Sequence, residues 1–136
     1  MTRHSLVRAS LIVFALVAGL ALVPRFVGDV LRGADDAASV REIHLVAKDM
    51  TFYVEGQDGP NPTLLARSGE RIRIVLRNAD VGMSHDFAIR SWSVNTQILK
   101  GKGQDSIEFT VPATSGTHFY SCTPHAGMMG GTIVVN

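Results

Sequence analysis

From Arg71 to Asn78 the chain alternates as an extended strand does: Ile72, Ile74 and Leu76 fall on one side, Arg71, Arg73 and Arg77 on the other. Successive strand side chains point to opposite faces, so this segment reads as a half-buried strand of an antiparallel sheet, apolar face on a core and basic face solvated. Its neighbours carry similar signals. Residues 42–47 and 51–55 are rich in β-branched and aromatic side chains, with Lys48 and Asp49 as a bend or bulge between them. Residues 56–62 hold two glycines and two prolines and read as a loop. Ser68, Gly69 and Glu70 form a turn.

Further strands are expected at 87–92, around Ile107, Phe109 and Val111 up to Pro112, at 117–122 and at 132–135. Residues 93–104 form a polar connection, packed down by Ile98 and Leu99. Seven or eight short strands without a helical period predict an all-β, Greek-key β-sandwich. This pattern alone does not separate an immunoglobulin-like sandwich from other Greek-key sandwiches.

The only cysteine of the 136 residues, Cys122, lies in Tyr120-Ser121-Cys122-Thr123-Pro124-His125-Ala126-Gly127-Met128-Met129-Gly130-Gly131. One cysteine excludes an intrachain disulfide and leaves a thiol that needs a reason to exist, and metal ligation is such a reason. Thiolate, imidazole and thioether on one tight loop form a soft set, suited to copper rather than calcium or magnesium, and a thioether is a poor fourth ligand for zinc. The loop needs a second imidazole. His85, in Met83-Ser84-His85-Asp86-Phe87, is the candidate; His4 precedes an apolar run and His44 lies in an early strand. His118 shares strand parity with Cys122 but sits about 13 Å away along an extended chain, so it reads as a core-edge residue. Two histidines, a cysteine and a weak axial methionine make the ligand set of a blue copper electron-transfer site. Met50 and Met83 read as packing residues.

The Cys122-Thr123-Pro124-His125-x-x-Met128 loop, followed by Gly130 and Ile133-Val134-Val135, resembles the small cupredoxins and is nearest in spacing to amicyanin. Pseudoazurin and plastocyanin share the Cys-x-x-His half and place the methionine later. Residues 78–87 are similar to the first-histidine segment of the family, and the likeness spans about Val40 to Asn136. It also extends to the copper domain of cytochrome oxidase subunit II, whose two cysteines against one here imply a mononuclear centre. The resemblance implies one copper held by His85, Cys122, His125 and Met128, with Met128 matching the family's Met-x-Gly ending and Met129 facing outward. It implies His125 at the surface, beside an apolar patch of Ala126, Gly127, Met128 and Met129 that docks a redox partner. In the family an Asn often follows the first histidine and ties the ligand segments together. Asp86 stands there instead, and an aspartate accepts but does not donate. Pro124 lacks an N–H that could otherwise bond the cysteine sulfur.

Residues 9–23 are uncharged and apolar, behind Arg3, His4 and Arg8, and read as an export signal. A span of 5–23 approaches the length that crosses a bilayer, so an uncleaved anchor is expected over residues 1–27, with a cleaved signal as the alternative. Residues 28–39 read as a linker and 40–136 as the domain. Of 13 basic and 12 acidic residues, nine of each lie beyond residue 39, which gives no reason to expect a nucleic-acid partner. The expectation is an extracytoplasmic, monomeric electron carrier, not an enzyme, docking redox proteins near His125. A copper-delivery protein and an accessory copper domain of a membrane oxidase are the competing readings.

Overall fold

The computed structural model describes residues 39–136. The expected anchor over 1–27 and all but the last residue of the expected linker lie outside them. Eleven strands follow in order: β1 (Val40–Lys48), β2 (Thr51–Val54), β3 (Leu64–Ala66), β4 (Arg71–Asn78), β5 (Ser84–His85), β6 (Ala88–Ile89), β7 (Val94–Asn95), β8 (Leu99–Lys100), β9 (Gly103–Thr110), β10 (Gly116–Ser121) and β11 (Gly130–Val135). One sheet has the order β2-β1-β4-β9 and the second β3-β11-β10-β6-β7, while β5 and β8 form a separate pair. Most neighbours are antiparallel, but β1 runs parallel to β4 and β3 parallel to β11. The two sheets face each other as a sandwich, as the alternation predicts.

The core lies between the sheets. Ile72, Ile74 and Leu76 are fully buried, as their parity requires. Beside them Tyr120 stacks on Phe87 at 5.2 Å and meets Phe52 edge-on at 5.5 Å. Burying each such ring is worth about 1.5–3 kcal/mol, and each aromatic pair about 0.5–1.5 kcal/mol more. The Tyr120 hydroxyl donates to the Pro62 carbonyl at 2.6 Å, so the ring is buried without losing a polar partner.

Several expectations change in detail. The bend at Lys48 and Asp49 is a two-residue hairpin turn: Lys48 pairs with Thr51, and Asp49 and Met50 have φ of 50° and 60°. Both residues sit in the left-handed region that matches hairpin twist but suits glycine best. Over 87–92 only Ala88 and Ile89 are strand, and a 3₁₀ turn covers Arg90–Trp92. Ile98 does not pack down; it is exposed, and Leu99 alone of the two meets the core. His118 sits at the core edge, its ring 4.9 Å from Trp92.

The arginine face of β4 is paired as well as solvated. Register sets Glu42 of β1 and Glu108 of β9 directly opposite Arg73. Arg73 donates to both at 2.8 Å, and Arg71 donates to Glu108. The face therefore carries little net basic charge. These pairs are exposed, so solvent screens them and they add little to stability.

Candidate metal centre

Two chain segments meet at the site. Gly82, at φ 80°, makes a turn few other residues would take, and β5 follows it and presents His85. Cys122 comes directly after β10, extended at φ −82° and ψ 124°. The chain then tightens into a 3₁₀ turn over Thr123–His125, where Pro124 supplies a preset φ and loses no needed N–H. That turn brings His125 back over Cys122.

Cys122 Sγ lies 3.6 Å from His85 Nδ1 and 3.5 Å from His125 Nδ1. All three donor atoms fall within 4.8 Å of one another. A first-row metal bonds sulfur and nitrogen at about 2.0–2.3 Å, so donors around one ion stand about 3.5–3.8 Å apart. The sulfur–nitrogen distances here match that spacing, and the donor set is soft. The residues fit a copper ion. His85 and Cys122 are fully buried and His125 is half-buried, so one imidazole alone reaches toward the surface.

Burial pushes the Cys122 thiol up from its ordinary value; backbone N–H groups of Asp86 and His125 oppose this, and the Asp86 carboxylate adds to it. A metal cation that replaces the thiol proton relieves this cost, because the buried thiolate then has a positive partner.

Asp86 keeps the tie expected of an asparagine. Its Oδ1 accepts the Thr123 N–H at 2.5 Å, linking the His85 segment to the Cys122 loop, and acceptance is all that bond asks of it. His85 has a partner that residue spacing did not reveal: its Nε2 lies 3.0 Å from Asp80 Oδ2. Asp80 stands five positions earlier, across the Gly82 turn, and the only signal for it in the sequence was an acid near the histidine.

The two methionines are arranged in reverse of expectation. Met128 is 71% exposed, whereas Met129 is 0% exposed and joins the core cluster that contains Cys122. The reason lies in the backbone. The N–H groups of Met128 and Met129 both donate to the His125 carbonyl, at 2.9 and 3.0 Å, so the loop coils past His125. Cys122 N–H then donates to the Met129 carbonyl at 3.0 Å, holding that residue under the loop. The surface patch beside His125 consists of Ala126, Gly127 and Met128, without Met129.

Sandwich and donor cluster together define a copper-binding cupredoxin domain. The sequence model of the copper binding proteins of the plastocyanin/azurin family matches residues 42–136, and the chain belongs to that family. No curated protein matches it in sequence. Among solved structures it is similar to auracyanin A, a "blue" copper protein of the green thermophilic photosynthetic bacterium Chloroflexus aurantiacus (17% identity, 72% of this chain and 100% of that one, TM-score 0.56). It is similar to the metal binding domain of a Cu(I) exporting P-type ATPase, CopA, of Streptococcus pneumoniae (17% identity, 73% and 88%, TM-score 0.55). It also resembles part of the multicopper oxidase McoA of the hyperthermophile Aquifex aeolicus (15% identity, 71% of this chain and 26% of that one, TM-score 0.59). At these identities the likeness is one of fold.

Proposed function

We propose that the protein is a mononuclear copper electron carrier, in which His85, Cys122 and His125 would hold the copper and buried Met129 would lend it a weak thioether contact. The observation that carries this reading is the buried Cys122 sulfur, with two imidazole Nδ1 atoms at 3.5 and 3.6 Å. Bound copper would supply a one-electron couple between Cu(I) and Cu(II). The chain's own part is rigidity. Asp86 fixes the Cys122 loop to the His85 segment, and the 3₁₀ turn fixes His125 against Cys122, so either oxidation state meets the same donors. Burial of His85 and Cys122 excludes water, and half-buried His125 gives electrons the short way out, beside Ala126, Gly127 and Met128. A redox protein docking on that patch is the partner we infer. The apolar N-terminal run behind Arg3 and Arg8 favours a place outside the cytoplasm.

Exposed Met128 favours a second reading, copper delivery, since a surface thioether next to His125 could receive Cu(I). The two readings separate by experiment. A carrier, copper-loaded and oxidised, is intensely blue or green, loses that colour in Cys122→Ser, cycles reversibly in voltammetry and keeps its copper against a mild chelator. A colourless complex that yields Cu(I) rapidly and gives no reversible wave favours delivery.

A further inference from the structure

Taking His85 as a copper ligand, as in the reading above, we infer that Asp80 is its positioning residue: the carboxylate fixes the imidazole in the Nε2–H tautomer, and its charge biases the site toward Cu(II). His85 is fully buried, so no bulk water competes for its ring nitrogens. Nε2 lies 3.0 Å from Asp80 Oδ2. An ionised carboxylate only accepts, so Nε2 carries the proton and Nδ1 is left with its lone pair. That lone pair faces Cys122 Sγ, where the donor cluster is. Orientation and tautomer are thus set by one bond on the far side of the ring.

Asp80 is itself held. The Asp49 N–H donates to both carboxylate oxygens, at 3.0 and 3.3 Å. It comes from the two-residue β1–β2 turn, whose Asp49 and Met50 both take positive φ without being glycine. Backbone outliers of this kind persist where the surroundings over-determine them, often at functional sites. The Asp80 N–H donates to Asn78 Oδ1 at 2.9 Å. Asn78 Nδ2 in turn donates to the carbonyls of Met83, just before β5, and of Leu99 in β8, at 2.8 and 3.1 Å, and β5 carries His85. The carboxylate and the ring it holds therefore hang from one frame. A partner that draws on the Nε2 proton makes Nδ1 a stronger donor, and its negative charge stabilises the more positive oxidation state.

Two variants and one measurement on the unmodified protein test this in the full-length chain. Asp80→Asn keeps size and an acceptor oxygen but removes the charge. Its Cu(II) affinity should fall about 10–100-fold relative to Cu(I), read as a rise in potential of about 59 mV per tenfold change. Asp80→Ala removes the acceptor. Nitrogen-15 NMR of the copper-free protein, above the imidazole titration range, should find His85 protonated at Nε2 alone in the wild type and as a tautomer mixture in Asp80→Ala. If Asp80→Ala does not fold, the wild-type tautomer and Asp80→Asn decide. A wild-type His85 protonated at Nδ1, or an Asp80→Asn protein that folds and keeps both its potential and its relative affinity within twofold, overturns the proposal. A wild type that fails to bind copper sinks the carrier reading instead, and the tautomer in the copper-free protein still decides whether Asp80 positions His85.

Discussion

Asp86 Oδ1 accepts the Thr123 N–H at 2.5 Å, joining the residue after His85 to the residue after Cys122. The two ligand-bearing segments are 37 positions apart in sequence, and this bond is a direct tie between them. Hydrogen bonds to a charged group contribute about 1.5–3 kcal/mol. Asp86→Ala should therefore lower the unfolding free energy of the copper-free protein by about that much. Asp86→Asn, which still offers an oxygen, should lose less than half of it. Denaturant unfolding of the two variants checks this, and equal losses would mean that charge matters more than acceptance.

The acid limb of stability should depend on Glu70. Arg41 donates to its two oxygens at 2.6 and 3.1 Å, and the Arg67 N–H donates to it at 2.9 Å. The Arg41 guanidinium holds this carboxyl below its ordinary value of 4.5. A lowered folded value gives stability that is present above the ordinary carboxyl range and lost as pH falls through the folded value. Because the arginine is largely exposed, the effect is about 1 kcal/mol or less. Glu70→Gln should melt lower than the wild type at neutral pH and converge with it below about pH 3. Thermal melts at both pH values check this.

Gly131 should tolerate nothing larger. It lies opposite Tyr120 in the β10–β11 ladder, and a Cβ there would fall on the Tyr120 ring and hydroxyl, with Cζ 2.6 Å away. Tyr120 is packed against Phe52 and Phe87 and bonded to Pro62, so it has nowhere to move. Gly131→Ala should cost about 1–3 kcal/mol by overpacking. Tyr120→Phe, which removes only the hydroxyl bond, should cost about 1 kcal/mol. Chemical unfolding of the two variants gives the comparison.

What the sequence made legible follows from how local each signal is. The strand faces of β4 were readable because parity is fixed within the strand itself. Cys122 and His125 were readable because the two residues between them, one a proline, leave few loop shapes. His85 needed the likeness to a family, since its partner residues come much later in the chain. The ladder of Glu42, Arg73 and Glu108 was hidden because it depends on register across three strands, one pair of them parallel. Asp80 was hidden for a similar reason: its contact with His85 depends on the fold of the Gly82 turn and on an N–H from a distant hairpin.

Which of the two methionines is buried turned on backbone hydrogen bonds that residue counting does not reveal. Counting from His125 and counting back from Gly130 both favoured Met128, yet Met128 is 71% exposed and Met129 fully buried. The Met129 carbonyl accepts the Cys122 N–H at 3.0 Å, so its side chain starts beneath the ligand loop and shares the core cluster with Cys122. A buried thioether is held in place by its packing, and one in solvent is not. A weak axial thioether modulates a trigonal copper site without defining it. Met129→Leu, a swap of similar volume, should keep the fold within about 1.5 kcal/mol. It should leave copper bound and coloured, raise the potential and alter the spectrum. Met128→Leu should change neither by much. Absorption spectra and voltammetry of the two copper-loaded variants decide, and a shift confined to Met128→Leu would return the axial role to the exposed residue.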